Sequence, residues 1–375
     1  STFAVESLID EVAEQKGVDP IALRLQNVLR DDQPIVTGAP IAPPGLREIC
    51  KGAMTHRLWK ERDANKKERS NAELAYGVGF ALAMKNYGTG ADAVMSAVSI
   101  DPNGKLVLTT NSIDMGQGLA TALAISTAAS LGKNADEIKT GEVALFNTLE
   151  LEAGFKIQKD NPRWTPIIWN STKASSGSSR WVHAVEQACL VLLEAGMLPT
   201  ARSLWGSGAN GLESGDVQWA EGKLTARGFT SIPLKDLAKR MHKKGFVVST
   251  MVHAFRSGPW VTAKYTVGDV TRRWAIDALA VQHGGGKKWQ LLDRRDAELM
   301  TVQDMWLKDA QTMGAAGALA AVMVNRRTGE PRVVEGVHFV APGKVIQQQL
   351  VEGQMEGQWA MGIGHALLED LPPFA

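Results

Sequence analysis

The stretch YGVGFALAMKNYGTGADAVMSAVSIDPNGKLVLTTNSIDMGQGLATALA, residues 76–124, decides the predicted fold. Its first half predicts strands, because apolar residues alternate loosely and Asp101-Pro102-Asn103-Gly104 is a strong turn sequence between two of them. Its second half predicts a helix over 119–131, which Gly116-Gln117-Gly118 precedes and Gly132 ends. Strands that feed glycine-led helices indicate an α+β or α/β enzyme rather than a helical bundle or a β-sandwich.

Working outward, helices are predicted near both ends and in the middle of the chain. Apolar residues on one face, with residues that favour helix starts and ends, support most of them. They cover residues 3–16, 20–29, 60–69, 175–196, 234–244 and 345–371. Further strands are predicted over 246–255 and 332–341. Residues 260–330 show no readable pattern, so irregular loops are predicted there.

Composition excludes several functional classes. Lys+Arg 41 against Asp+Glu 40 gives a net charge of +1, which removes the main electrostatic argument for binding nucleic acid. The two cysteines, Cys50 and Cys189, build no disulfide framework or iron–sulfur ligand set. No apolar run approaches the roughly 18 residues that cross a bilayer. The 37 glycines indicate that backbone approaches other backbone, or a ligand, very closely.

Several familiar catalytic motifs fail on inspection. The sequence has no GxxxxGK[ST], no GxSxG and no HExxH, and its seven histidines never pair at the spacing of zinc ligands. Gly77-Val78-Gly79 starts like a dinucleotide-binding fingerprint but lies within a strand pattern. His183 and His365 fall on predicted helices and are interpreted as structural residues rather than bases. Neither a nucleotide site of these known types nor a protein-held zinc ion is therefore expected.

Three glycine- or serine-rich segments remain as candidate ligand contacts. Gly116-Gln117-Gly118 combines open main chain at a helix start, which favours anions, with an amide suited to the edge of a flat heterocycle. The run Ser175–Ser179 offers hydroxyl and N–H groups that suit a phosphate. Gln354 lies between Gly353 and Gly357. Each alone is explained by a turn, a cap or helix packing, but together they indicate a cradle for a large phosphorylated heterocycle.

Three segments resemble, in the same order, the molybdopterin-binding subunit of the molybdenum hydroxylases, the xanthine dehydrogenase and aldehyde oxidase family. They are residues 76–124, the opening STFAVESLIDEVAEQKGVDPIALRLQNVL and the closing LVEGQMEGQWAMGIGHALLEDL. The bacterial isoquinoline oxidoreductase-like and aldehyde dehydrogenase branches look most similar. The resemblance implies an α+β molybdopterin-binding fold with mixed sheets. Residues 1–69 would be the helical end of a first molybdopterin-binding domain plus a linker, and 70–375 a second domain without its C-terminal end.

The resemblance also implies a cofactor and its contacts. Molybdenum would be held by the dithiolene sulfurs of a pterin, in the cytosine dinucleotide form by the habit of bacterial members, and not by side chains. Phe80 would pack against a planar substrate, although the residues alone favour its interpretation as a core residue. The positions that match cofactor contacts of the family are Gly116, Gln117, Gly118, Ala174, Ser175, Ser176, Ser178, Ser179 and Gln354.

One catalytic group of the family has no match. Its glutamate base lies in a GxGE element downstream of the position of Gln354, and the sequence ends at Ala375 before that position. Gly329-Glu330-Pro331 precedes Gln354 and is interpreted as a turn between strands. We therefore expect the chain to be a fragment or one half of a split subunit, with the glutamate elsewhere.

The expected function is that of the molybdenum-pterin-binding subunit, or part of it, of an oxidoreductase that hydroxylates an aldehyde or N-heterocycle with water as oxygen source. Its partners would be a small planar substrate, the rest of the molybdopterin subunit and an iron–sulfur subunit, with iron–sulfur clusters and FAD on partner chains. A bacterial protein of this kind would work in the cytoplasm or the periplasm. Two alternatives stay open: a catalytically empty homologue that stabilises a partner, and an unrelated nucleotide-binding enzyme that uses Ser175–Ser179 for phosphate.

Overall fold

The structure is a computed structural model, and it divides the chain into two compact units. Unit 1 comprises Ser1–Tyr87 and Ala310–Ala375, and unit 2 comprises Gly88–Asp309. The expected domain division between residues 69 and 70 follows the family's domains and stays a prediction. The described residues are 2–30, 33–34, 44–87, 94–149, 177–255, 261–299 and 312–370.

Helices and strands are numbered along the whole chain. The α-helices are α1 (Thr2–Lys16), α2 (Pro20–Asn27), α3 (Leu46–Thr55), α4 (Arg57–Lys60), α5 (Arg62–Arg69), α6 (Leu119–Leu131), α7 (Gly177–Leu192), α8 (Leu198–Trp205), α9 (Leu234–Lys244) and α10 (Gln348–Leu367). The strands are β1 (Leu74–Tyr87), β2 (Val94–Ile100), β3 (Leu106–Thr110), β4 (Glu137–Lys139), β5 (Val217–Ala220), β6 (Lys223–Ala226), β7 (Ile232–Pro233), β8 (Val247–Phe255), β9 (Val261–Val267), β10 (Val270–Trp274), β11 (Ala278–His283), β12 (Gln290–Leu292), β13 (Arg295–Leu299), β14 (Thr312–Asn325) and β15 (Pro331–Ala341).

Unit 1 is an antiparallel sheet, in the order β1-β14-β15, packed against helices from the start of the chain. A buried ion pair ties the first helices to the sheet. Arg24 on α2 contacts Glu6 and Asp10 on α1, and the Glu6 carboxylate also accepts a hydrogen bond from the amide of Leu82 on β1. The apolar core comprises Ile21, Leu46, Ile49, Cys50, Ala53, Leu58, Trp59, Tyr76, Phe80, Ala315, Leu319 and Ala321.

Unit 2 is built on a large sheet in the order β12-β11-β8-β2-β3-β4. Neighbouring strands are antiparallel except β3 and β4, which are parallel and are joined through α6. Alternate residues of each strand face opposite sides, as the period of two requires. Met95, Ala97 and Met251 pack on one side against the short helix Ala144–Leu149, whereas Thr250 faces α7 on the other. Smaller sheets follow the orders β10-β9-β13 and β5-β6-β7.

Helices α6 and α7 start at the same end of the large sheet. Helix α6 leaves the carboxyl end of β3 and returns to the start of β4, so it runs antiparallel to β3. Helix α7 begins beside the end of β3, where the Trp181 indole donates to Asn111. It then runs towards the middle of β8, where the Ala188 carbonyl accepts from Thr250. Both helix N-termini therefore lie near the carboxyl end of β3.

Two expectations about secondary structure are wrong. The irregular loops expected over 260–330 include strands β9 to β14, and β9 shows a plain alternation in which Ala263, Tyr265 and Val267 are buried. The helix expected to end near Gly196 continues through a π-helical turn, Leu193–Met197, into α8. Glycine at position 196 lets the helix lie against the main chain of β8, where a Cβ atom would come within 2.3 Å of a carbonyl oxygen.

Because α7 continues into α8, the expectation that no apolar run is long enough to cross a bilayer changes. One helical stretch, Arg180–Trp205, is long and apolar enough to cross a membrane by length and composition. Its most apolar window is 72% buried inside the protein, and the stretch begins within α7, which packs on the large sheet. Core helices of folded proteins pass the same test of length and composition. The finding is therefore weak evidence for a membrane span.

Candidate cofactor-binding site

The segment between β3 and α6, residues 111–118, forms a compact loop that we call the glutamine loop. The Asp114 carboxylate accepts hydrogen bonds from the amides of Gly116 (3.0 Å) and Ala120 (2.8 Å). It takes the capping role for α6, because Gly118 at the N-cap position has no side chain to do so. The sequence predicted the glycines here but missed Asp114, whose position shortly before a helix start was the available signal.

The amide of Gln117 is tied into its own loop. Its Oε1 accepts from the amide of Met115 at 2.6 Å, and its Nε2 donates to the carbonyl of Ile113 at 3.2 Å. A primary amide has two N–H groups and two acceptor lone pairs. These contacts use one of each, so Gln117 can shape the loop and still present polar groups to a ligand. Its expected contact with a heterocycle stays a prediction.

The glycines leave room beside the main chain of this loop. Gly116 and Gly118 both have left-handed backbones, with φ of 99° and 76°, a conformation that favours glycine. A Cβ atom at Gly116 would meet no atom within 4 Å, so the backbone there borders open space. The amides at the start of α6 also precede the first intrahelical hydrogen bonds. The open space beside Gly116 fits a flat group that approaches the backbone closely.

The serine run is only partly within the described residues. Helix α7 starts at Gly177, as expected for a helix opened by the serine run, and Ser178 and Ser179 lie in its first turn. The other expected contacts, Ala174, Ser175 and Ser176, lie outside the described residues. The Trp181 indole donates to Asn111 Oδ1 at 2.9 Å. The start of α7 is therefore joined to the start of the glutamine loop.

Sequence reasoning missed three residues that build this corner of unit 2. Asn111 and Trp181 are buried, and the bond between them joins segments that are distant in sequence. Arg180, also buried, places a guanidinium directly after the serine run. An arginine in the first turn of a predicted helix that follows a phosphate-binding sequence was a usable signal. No sequence signal indicated the contact between Asn111 and Trp181.

Phe80 lies in the core of unit 1. Its side chain is 4% exposed, and the guanidinium of Arg24 lies 5.8 Å from the ring centroid. A Cβ atom at Gly317 on the neighbouring strand would come within 3.0 Å of the ring, so the absence of a side chain there makes room for Phe80. This burial supports the interpretation of Phe80 as a core residue. Its contact with a substrate stays a prediction that the burial does not support.

Gln354 is a half-buried residue on α10 in unit 1. Helix α10 packs on β15, and half-buried apolar residues recur every fourth position beside Gln354, as in a helix that rests one stripe on a sheet. Cβ atoms at Gly353 and Gly357 would meet nothing within 4 Å, so open space borders this turn. The apolar stripe comprises Val351, Met355, Trp359 and Ile363.

The structure brings two of the predicted contact segments together within one unit. The glutamine loop and the start of α7 both belong to unit 2, whereas Gln354 and Phe80 belong to unit 1. The proximity of the first two follows from the Asn111–Trp181 bond. A cradle that combines all three segments stays a prediction.

Other titratable groups have structural surroundings. Burial lowers the pKa of His183, whose Nε2 lies 3.0 Å from the Ala275 carbonyl oxygen, which agrees with its interpretation as a structural residue. Burial raises the pKa of Cys50 to about 11 and raises that of Cys189 further still, so both thiols stay protonated. Glu330 lies in the exposed turn between β14 and β15, as predicted. Within the described ranges, no group of three or more His, Cys, Asp or Glu side chains is arranged to hold a metal ion.

Comparison with known proteins gives one family and a consistent set of relatives. The family described as a molybdopterin cofactor-binding domain matches residues 53–148 and 156–372. The aldehyde oxidoreductase molybdenum-binding subunit PaoC of Escherichia coli (strain K12) is 24% identical over 371 residues, which cover 98% of this chain and 39% of that protein. The putative xanthine dehydrogenase molybdenum-binding subunit XdhA of the same strain is 26% identical over 372 residues, 98% of this chain and 40% of that protein.

Solved structures show the same fold. Quinoline 2-oxidoreductase from Pseudomonas putida 86 matches with a TM-score of 0.63 and 18% identity, over 99% of this chain and 40% of that one. The aldehyde oxidoreductase from Desulfovibrio desulfuricans ATCC 27774 matches with a TM-score of 0.59 and 20% identity, over 97% of this chain and 30% of that one. The predicted mixed helix-and-sheet fold of the molybdenum hydroxylases is confirmed. The chain spans about two fifths of the length of the curated relatives it matches, and it belongs to the molybdopterin cofactor-binding domain family.

Proposed function

We propose that this chain forms the molybdopterin-binding part of an oxidoreductase that hydroxylates an aldehyde or an N-heterocycle with water as oxygen source. The observation that supports this most directly is the convergence of two helix N-termini, those of α6 and α7, at the carboxyl end of β3. Both starts are led by glycine, and the backbone beside Gly116 borders open space. The family match supplies the ligand that such a corner would hold.

The residues fit the expected cofactor in chemical type. The glutamine loop presents main chain that borders open space at Gly116 and the Gln117 amide, which suit the hydrogen-bonding edge of a pterin. The start of α7 presents main-chain N–H groups and the positive end of a helix dipole, which suit a phosphate. Arg180 adds a positive charge close to that start. When bound, the cofactor supplies the redox chemistry; this chain binds and orients it.

The finer assignments follow from the same proposal. A dinucleotide form, with cytosine by family habit, would extend the phosphate end along the start of α7. The electron-transfer groups, iron–sulfur clusters and FAD, would lie on partner chains, and the relatives are named as subunits. Glu330 occupies an exposed turn, so we place the catalytic base on another segment of the molybdopterin subunit.

The test is the cofactor content of the assembled enzyme. The complex that contains this chain is purified from a host that makes the cofactor, and molybdenum and released pterin are measured per chain. We expect near-stoichiometric amounts in the unaltered complex and a loss of roughly fivefold or more in Gln117→Ala, which removes two loop hydrogen bonds of about 1 kcal/mol each. Gln218→Ala is the control, because Gln218 is an exposed residue of β5.

Two results would contradict the proposal. An unaltered complex with neither molybdenum nor pterin would identify the chain as the catalytically empty homologue. Tight binding of ATP or NAD in place of a pterin would instead favour an unrelated nucleotide-binding enzyme.

A further inference from the structure

The amide oxygen of Asn111 joins three elements of unit 2. It accepts one hydrogen bond from the amide of Met95 on β2 at 3.1 Å and another from the Trp181 indole on α7 at 2.9 Å. The main-chain amide of Asn111 also donates to the Met95 carbonyl, which extends the pairing of β2 and β3 by one residue. Asn111 is 2% exposed and Trp181 is fully buried.

The two side-chain contacts occupy both lone pairs of that oxygen. Its position is set by the sheet, because Met95 belongs to a central strand. The Trp181 N–H can reach this oxygen only when the first turn of α7 lies at one distance from the sheet and has one rotation about the helix axis. Trp181 follows Ser179 by two residues, so the same constraint places the N–H groups of that turn.

The rest of α7 is fixed independently. The Thr250 hydroxyl donates to the Ala188 carbonyl at 2.7 Å, and His183 bonds the Ala275 carbonyl at 3.0 Å. These contacts lie further along the helix, whereas the Trp181 indole anchors its first turn. Asn111 is also the first residue of the glutamine loop. One hydrogen bond therefore links the starts of both candidate contact segments.

We propose that Asn111 and Trp181 are positioning residues, and that the hydrogen bond between them sets the spacing between the glutamine loop and the start of α7 that one cofactor must span. The inference rests on the proposed function. Neither residue needs to touch the cofactor. Asparagine suits the role because a neutral acceptor with two lone pairs can be buried between two N–H donors without an unpaired charge.

The first test is Trp181→Phe in the assembled, cofactor-loaded enzyme. Phenylalanine keeps an aromatic ring at the buried position and removes the indole donor together with one ring of the bicyclic side chain; the Trp274→Phe control loses the same volume. We expect molybdenum and pterin to be released about fivefold faster in mild denaturant, the effect of losing one buried hydrogen bond. Hydrogen exchange should also rise at the amides of both segments, 112–121 and 177–181.

Trp274→Phe is the matched control. Trp274 is buried in the same unit, and its indole donates to the Glu194 carboxylate at 2.8 Å, away from both segments. Its loss costs at least as much general stability, because hydrogen bonds to charged groups are the stronger ones. If instability alone released the cofactor, this variant would release it as fast as Trp181→Phe does. We expect its release rate to match that of the unaltered enzyme.

A rescue pair separates positioning from packing. Asn111→Leu removes the acceptor, whereas Asn111→Ser keeps a neutral acceptor oxygen at the same residue position, so cofactor retention should be lower in the first than in the second. Equal retention in both, or unchanged release and exchange in Trp181→Phe, overturns the inference. If Gln117→Ala still loses cofactor in that case, the proposed function stands. A complex without any cofactor overturns both.

Discussion

The indole of Trp359 on α10 lies directly over Gly336 on β15, where a Cβ atom would come within 1.8 Å of the ring. The same ring meets His338 edge-on, with centroids 4.8 Å apart. Only glycine at position 336 leaves room for the Trp359 ring in this position. Trp359 belongs to the apolar stripe through which α10 packs on the sheet. Its packing against Gly336 therefore fixes the position of Gln354 within unit 1.

Gly336→Ala should displace α10, because it disrupts the packing of Trp359 against position 336. The methyl group overlaps the indole, and overpacking of this kind typically costs about 1–3 kcal/mol. We expect a lower midpoint of urea unfolding and a lower cofactor content if Gln354 is a cofactor contact. Gly362→Ala on the same helix is the control, because a Cβ atom there meets nothing within 4 Å. Equal stability of both variants would mean that Trp359 can move aside without cost.

Asp114→Ala should loosen the start of α6. The change removes both hydrogen bonds that the carboxylate accepts, from Gly116 and Ala120, and loss of a helix cap costs about 1 kcal/mol or slightly more. Hydrogen exchange at the amides of 115–121 should rise, and cofactor content should fall. Asp269→Ala, in the exposed turn between β9 and β10, should change neither. Unchanged exchange in Asp114→Ala would show that the glycines alone hold the loop.

The sequence predicted those parts of the fold whose signals are local. Asp19 before Pro20 predicted a capped helix, and the Asp19 carboxylate does accept from the first amides of α2. Gly132 and Gly245 predicted two helix ends, and both adopt left-handed backbones there. The glycine–glutamine–glycine segment predicted a loop before α6. Each of these features depends on residues a few positions apart.

The remaining features depend on partners that are distant in the sequence. Asn111 and Trp181 lie 70 residues apart, and neither residue type marks the other. Burial of Phe80 follows from Arg24 and Gly317, which reach it from α2 and β14. The π-helical turn after α7 contains Gly196, which lies close to the main chain of β8. Candidate residue types could be read from the sequence, but their spatial combination required the fold.

Asp19→Ala should destabilise unit 1 by about 2 kcal/mol, since it removes a cap and further partly buried contacts. One carboxylate oxygen caps α2, and the other accepts from the Trp59 indole at 3.1 Å and from Arg62 at 3.0 Å. The free energy of unfolding, from urea titration, measures the loss. Asp63→Ala replaces an exposed aspartate of α5 and should leave stability within about 0.5 kcal/mol of the unaltered chain. Similar values for the two variants would refute the assigned role of Asp19.

The pH dependence of stability should have an identifiable contribution from His183. Burial lowers its pKa below the ordinary value of 6.5, so the folded chain holds this ring neutral where the unfolded chain protonates it. The stabilising contribution is therefore complete above pH 6.5 and is lost as the pH falls towards the folded-state pKa. Urea titrations at about pH 7.5 and about pH 5.5 should give a lower free energy of unfolding at the acidic value.

The variant His183→Gln tests this assignment. It keeps an N–H donor for the Ala275 carbonyl and should narrow the difference in unfolding free energy between the two pH values. Burial also lowers the pKa of His338, so the difference should narrow without vanishing. His365→Gln, at an exposed position on α10, is the control, and an equal narrowing in both variants would show that the effect does not come from the buried ring.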